Sequence, residues 1–142
     1  MKVVIDTGIF IASLWKGRSR SLVELWKKGE ITLCASEAIL KEYLDIIPRF
    51  NSLNKDAGEL LSLFKARKNI KMVTPSQRLK LIKEDPADNK FLECAIEAGA
   101  EYIISADKHL RSLGKHAGMR IVSSGSFLKD NKKFITKEGE HE

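Results

Sequence analysis

Short, continuously apolar stretches alternate along the chain with longer ones whose apolar residues recur every three or four positions. KVVI (2–5), ITLCA (31–35), KMVT (71–74), EYIIS (101–105) and RIVS (120–123) are of the first kind and predict strands. FIASLW (10–15), SRSLVELWKKG (19–29), SEAILKEYLDII (36–47), NKDAGELLSLFKARK (54–68), ADNKFLECAIEAG (87–99), DKHLRSLG (107–114) and SGSFLKDN (124–131) predict helices. Leu22, Leu25 and Trp26 share one face of the second helix, and Leu60, Leu61 and Phe64 one face of the fourth. The boundaries are written locally. Ser36 reads as an N-cap with Pro48 beyond the far end, Asp85–Pro86 as an N-cap and first-turn pair, and Gly29, Gly99 and Gly114 as helix stops. Residues 75–84 read as a short helix and a loop.

Strands that are apolar on both sides belong in a parallel sheet covered on both faces. The expected fold is therefore α/β, a three-layer α/β/α sandwich around a central, mostly parallel five-stranded sheet. Residues 1–130 are expected to form one domain and 131–142 a polar, frayed tail.

Composition narrows the class. Of 142 residues, 43% are hydrophobic and 31% charged, too apolar for a disordered chain. No apolar run approaches a membrane span, and the first such run ends in an acid, unlike a secretory signal. Cys34 and Cys94 lie in apolar contexts without metal-like spacing, so both are expected reduced and buried, in a cytoplasmic protein. A net charge of +6 favours a polyanionic partner, RNA or DNA, against the plainer reading of a merely basic surface.

The acids carry the candidate chemistry. Ligand sites in open α/β sheets form beyond the carboxyl ends of the strands. Asp6 ends the first strand, Asp107 follows the fourth, Asp88 lies in the first turn of the helix before that strand, and Glu42 lies on the helix after the second. Glu42 shares a helical stripe with Ile39 and Ile46, where a carboxylate must be paired, protonated or metal-bound. Each acid also has an ordinary reading. Asp6 and Asp107 would serve as helix caps, Asp88 as a first-turn acid favourable to the helix dipole, and Glu42 as a partner for a surface lysine. Four acids converging on one edge, with no single base placed to neutralise them all, favour a site.

VIDTGIF, SEAILKEYLDII and DPADNKFLECAIEAGAEYIISADKHLRSL, in this order over about residues 2–128, resemble a PIN-domain protein. The order and spacing are similar to the toxin-like, VapC-type PIN proteins of prokaryotic toxin–antitoxin systems. The resemblance implies a metal-dependent ribonuclease with Asp6, Glu42, Asp88 and Asp107 as its catalytic and metal-binding acids. It also implies supporting hydroxyls at Thr7 and Ser105 and an auxiliary acid at Asp85. Two positions depart from the family pattern. Gly8 stands where Asn or Ser is frequent, and His109 where many members carry a further acid. The implied partners are RNA, a cognate antitoxin and a second copy of the chain; Trp15 and Trp26 read as core or interface residues rather than base-stacking platforms, and so are the interface candidates.

A carboxylate-only site suits a hard cation, Mg²⁺ or Mn²⁺, as one ion or two. Asp6, Asp88 and Asp107 are read as ligands, and Glu42 as a ligand or as the group that positions the attacking water. Arg18 and Arg20, in KGRSR (16–20), are candidates for holding the RNA backbone, and KARKNIK (65–71) is a weaker one. His109, His116 and His141 are read as surface residues. A PIN scaffold that binds RNA or protein without cleaving is the alternative. A nucleotide- or flavin-binding domain is disfavoured because no glycine-rich loop follows the first strand. A phosphoacceptor domain is disfavoured too, for want of paired acids and a late-strand lysine.

Overall fold

The structure is a computed structural model and describes residues 1–51, 54–76, 89–116 and 118–133. Strand β1 (Lys2–Ile5) leads to helices α1 (Thr7–Ala12) and α2 (Arg18–Lys27), and then to β2 (Thr32–Ala35). Helix α3 (Glu37–Ile46), a 3₁₀ turn (Ile47–Phe50) and α4 (Lys55–Lys65) precede β3 (Ile70–Met72). Helix α5 (Asn89–Ala98), β4 (Tyr102–Ile104), α6 (Lys108–Arg111), β5 (Lys115–His116), β6 (Met119–Val122) and α7 (Ser124–Asp130) complete the order.

The sheet runs β3-β2-β1-β4-β6-β5. β1 pairs in parallel with both β2 and β4, β2 with β3, and β4 with β6, so five strands form the parallel sheet expected of their apolar character. A sixth, two-residue strand adds an antiparallel edge, with Lys115 and His116 opposite Arg120 and Met119. It lies within the stretch between the predicted helix 107–114 and strand 120–123, too short to leave a periodic signal. The chain winds from β1 outward through β2 to β3 and then crosses back to β4. Right-handed crossovers in opposite directions put helices on opposite faces, and this yields the three-layer α/β/α sandwich. The strand order reverses between β1 and β4.

Local signals explain most boundaries. Ser36 caps α3 by accepting the Ile39 N–H, and Asn54 caps α4 by accepting that of Asp56. Gly99, at φ +64°, ends α5 with the Ala100 N–H reaching back to the Ala95 carbonyl. Helix α1 begins at Thr7 rather than at 10, because Asp6 leaves β1 in extended backbone and the Ile9 N–H bonds back to its carbonyl at once. The predicted Asp85–Pro86 start of α5, and any element within 77–88, lie outside the described residues.

The core joins the strands to an aromatic cluster drawn from four helices. Phe10 of α1 meets Trp26, Tyr43 and Phe64 edge-on at ring distances of 5.6, 4.9 and 5.0 Å. Phe64 stacks on Tyr43 at 4.8 Å and on Trp26 at 5.7 Å. Trp26 is therefore buried, and its indole N–H donates to the Asn69 carbonyl, which removes it as an interface candidate. Trp15 is 51% exposed and rests edge-on against Phe50. Cys34 and Cys94 are free and buried, as their apolar contexts predict. No helix among the described residues is long and apolar enough to cross a membrane.

Candidate active site

The strand order reverses between β1 and β4, and in open sheets of this kind the crevice that takes a ligand forms there, outside the carboxyl ends of the strands. Asp6 is the first residue past β1. Its N–H still donates to the Ile104 carbonyl at 3.0 Å, so the ladder to β4 holds its backbone. Ser105, the first residue past β4, is likewise held by its N–H to the Val122 carbonyl at 2.9 Å. The buried Ser105 hydroxyl donates to Asp6 Oδ2 at 2.7 Å and accepts the Asp107 N–H at 2.9 Å. One serine thereby sets the relative position of two carboxylate-bearing residues.

Glu42 arrives from α3. One of its oxygens accepts the hydroxyl of the buried Thr7, and the other is 2.7 Å from the Lys90 ammonium on α5. The next residue, Tyr43, faces the other way, and its hydroxyl donates to the carbonyl of Ile5, immediately before Asp6. Consecutive residues of α3 thus serve the crevice and the core, and the tyrosine fixes α3 against the end of β1.

The electrostatics separate these acids. Burial raises the Asp6 carboxyl above its ordinary value, and the nearby charges of Glu42 and Asp107 raise it further, against the lowering effect of the Ser105 hydrogen bond. Asp6 makes no ion pair among the described residues. It occupies the N-cap position of α1 without a well-formed capping hydrogen bond, although the Gly8 N–H of the first turn also lowers its pKa slightly. The ordinary reading of Asp6 as a cap therefore accounts for only a weak contact. For Asp107 it holds, because Oδ1 accepts the His109 N–H at 2.7 Å and the Leu110 N–H at 3.3 Å.

Of the residues singled out from sequence, the crevice gathers Asp6, Thr7, Glu42, Ser105 and Asp107. Asp88 and Asp85 lie outside the described residues. Arg18 and Arg20 diverge. Arg20 pairs with Asp56 at 3.0 Å, while the Arg18 guanidinium lies across Gly125 of α7, where a Cβ would sit 2.5 Å from it. Arg67, of the weaker basic stretch, pairs with Glu37 at 3.1 Å. The side chains of His116 and His141 are outside the described residues.

Two residues went unread in the sequence. Lys90 bears out the ordinary reading of Glu42 as a partner for a lysine, although it neutralises Glu42 alone and the sequence does not say which lysine it is. The available signal was that it is the sole lysine or arginine between Asp85 and Asp107. Tyr43 carried a fainter signal, a hydroxyl next to Glu42 in an otherwise apolar stripe, which once buried must find an acceptor.

The donor set around the crevice is carboxylate and hydroxyl oxygen, with neither imidazole nor thiolate in its hydrogen-bond network, and it suits a hard divalent cation. Among the described residues no group of three or more His, Cys, Asp or Glu side chains is placed to hold a metal ion by itself. No match is found among curated proteins. The PIN domain is commonly a nuclease domain, typically dependent on divalent metal ions and generally associated with RNA binding. A family model described as PIN domain matches residues 2–109, a span that takes in Asp6, Glu42, Asp88 and Asp107. The parallel sheet, its reversal point and this match agree: the chain belongs to the PIN-domain family.

Proposed function

We propose that the protein is a Mg²⁺- or Mn²⁺-dependent endoribonuclease that hydrolyses RNA phosphodiester bonds at the β1–β4 crevice. The observation that carries this reading is Asp6. It is a half-buried carboxylate with no well-formed cap bond and no ion pair among the described residues, and burial together with two further acids raises its pKa. Such an arrangement works against the fold unless positive charge arrives.

Asp6, Glu42 and Asp107 would hold the cation, joined by Asp88 at the family's spacing and by Asp85 as an auxiliary acid. The bound cation would activate a water nucleophile and neutralise charge developing on the phosphate. Ser105 orients Asp6 and Thr7 orients Glu42, which serves as a ligand or positions the attacking water. Helix α2 begins at the same edge as α7, as the contacts of Arg18 with Gly125 and of Ser19 with Ser124 attest. Arg18 and Arg20 are accordingly proposed to steer the RNA backbone, Arg20 after exchanging Asp56 for phosphate.

In the finer reading the protein is the cytoplasmic toxin of a toxin–antitoxin pair. Residues 1–130 form the catalytic domain, and an antitoxin segment and a second copy of the chain are the protein partners. The exposed Trp15 is the interface candidate left after Trp26 proves buried. A non-cleaving scaffold is the second reading. It is favoured by the lack, among the described residues, of any group of three acids, histidines or cysteines placed to hold a metal ion, and by the neutralisation of Glu42 by Lys90.

Incubation of the pure protein with single-stranded and structured RNA in Mn²⁺, Mg²⁺ or EDTA separates the two readings. Cleavage that requires the cation and is lost in Asp6→Asn and Asp88→Asn, with circular dichroism unchanged, supports the enzyme. RNA bound but intact in every condition supports the scaffold.

A further inference from the structure

Lys90 is on the inner side of the site. Its ammonium is 2.7 Å from Glu42 Oε1, with 20% of the lysine side chain and 27% of the glutamate side chain exposed. It also lies 5.2 Å from the centre of the Phe91 ring, whose face favours a cation. The pair is therefore a partly desolvated contact rather than a loose surface bridge. The opposite oxygen of the same carboxylate is engaged by Thr7, so both oxygens of Glu42 are in use.

We propose that Lys90 is an exchangeable ligand. It neutralises Glu42 while the crevice lacks a divalent cation, and it turns to a phosphate oxygen of the RNA once Glu42 is engaged by the cation. The inference rests on the cation-dependent reading above. A carboxylate oxygen that serves an ammonium and a divalent cation together brings two positive centres to a few ångströms in a partly dry site, and they repel. Glu42 released from Lys90 strengthens the cation's hold. Lys90 released from Glu42 keeps its place beside the acids on a flexible four-carbon stem, with three donors and a full charge for an anion. An RNA phosphate brought to this edge is the ligand of matching chemistry. The ordered consequence is that cation and RNA assist each other, each removing a competitor of the other.

The test uses the full chain and two readouts other than cleavage. Mn²⁺ is titrated calorimetrically into wild type, Lys90→Met and Lys90→Arg. Lys90→Met is expected to bind Mn²⁺ roughly fivefold or more tightly than wild type, the scale of a typical coupling between sites, while Lys90→Arg, which keeps the charge, stays near wild type. Binding of a phosphorothioate single-stranded RNA is then followed against salt in saturating Mn²⁺. Lys90→Met is expected to flatten the log–log salt slope by about 0.7, the loss of one phosphate contact. Lys90→Gln, which keeps a donor towards Glu42, carries the same expectations should the Met variant fail to fold. Unchanged or weaker Mn²⁺ binding in the neutral variants, or an unchanged salt slope, overturns the proposal and leaves Lys90 a structural partner of Glu42. Absence of Mn²⁺ binding in every protein, wild type included, defeats the cation-dependent reading itself and this inference with it.

Discussion

The aromatic cluster and the carboxylate crevice lie on the two sides of one helix, α3, and obey opposite rules. In the cluster, Phe10, Trp26, Tyr43 and Phe64 come together because each contact adds apolar burial and favourable ring geometry. In the crevice, Asp6, Glu42 and Asp107 come together although their charges repel, and burial of Asp6, with the neighbouring acids adding to it, raises its pKa. Tyr43 joins the two, stacked on Phe64 at one end and bonded at its hydroxyl to the residue before Asp6. Stability generated on one side is what holds like charges together on the other, so substitutions on the two sides should differ in sign.

The largest effect belongs to the cluster. Phe64→Ala should cost about 3–5 kcal/mol, the range for truncating a fully buried phenylalanine, read by urea denaturation. A loss under 1 kcal/mol would mean that the rings support the crevice less than their packing suggests.

Asp6→Asn should do the reverse. In EDTA it should raise the melting temperature by roughly 2–6 °C, the shift that about 1 kcal/mol produces in a domain of this size, and it should weaken the stabilising response to Mn²⁺. The pH dependence fixes the sign independently. The folded-state pKa of Asp6 lies above its unfolded value of 3.8, so the unfolded chain releases this proton first. Stability at this site is highest below the unfolded value and falls as pH rises from there through the folded pKa. Melting curves in EDTA from mildly acidic to neutral pH should show this fall in wild type and a flatter profile in Asp6→Asn. A destabilised Asn variant would return Asp6 to the role of a structural helix-start residue.

Tyr43→Phe tests the connection between the two regions. It leaves the Ile5 carbonyl without its partner and should cost about 1–2 kcal/mol. If the hydroxyl positions β1 for the site, the stabilisation by Mn²⁺ should shrink as well. An unchanged response to Mn²⁺ would confine Tyr43 to the core.

The smallest effect is chemical. Burial pushes the Cys94 thiol up to about 12, so it should resist alkylation at pH 8 in the folded protein and react on unfolding. Since the folded value exceeds the unfolded one of 9.0, the stability this thiol contributes is lost as pH rises from about 9 towards the folded value. Fast labelling under native conditions would show that α5 opens locally.

What the sequence made legible follows the range of the interaction. The five parallel strands, the Ser36 cap and the helix-closing glycines are local signals, and they were read correctly. Asp6, Glu42 and Asp107 could be brought to one edge because strand ends in a parallel sheet share a side, a rule that needs only element order. A lysine partner for Glu42 is among the ordinary readings, but its identity as Lys90 is not legible, since nothing local says that a lysine on α5 faces a glutamate on α3. Trp26 is core, one of its two readings, and the choice was not legible because an amphipathic pattern does not distinguish a surface stripe from a face covered by another helix. The shifted start of α1 has the same origin: the strand's end, rather than the helix's own apolar spacing, decides it.

The position of β1 in the middle of the sheet also fixes when the crevice can exist during synthesis. Asp6 leaves the ribosome among the first residues, but Ser105, the hydroxyl that orients it, follows 99 positions later. β1 can pair early with β2, which comes soon after it, whereas its other edge must wait for β4. A nascent or truncated chain that stops short of β4 therefore carries Asp6 and Glu42 without the strand that completes the crevice between them and Asp107. A product of translation that ends before Ser105, nearly three quarters of the way along the chain, lacks both the hydroxyl that orients Asp6 and the carboxylate of Asp107.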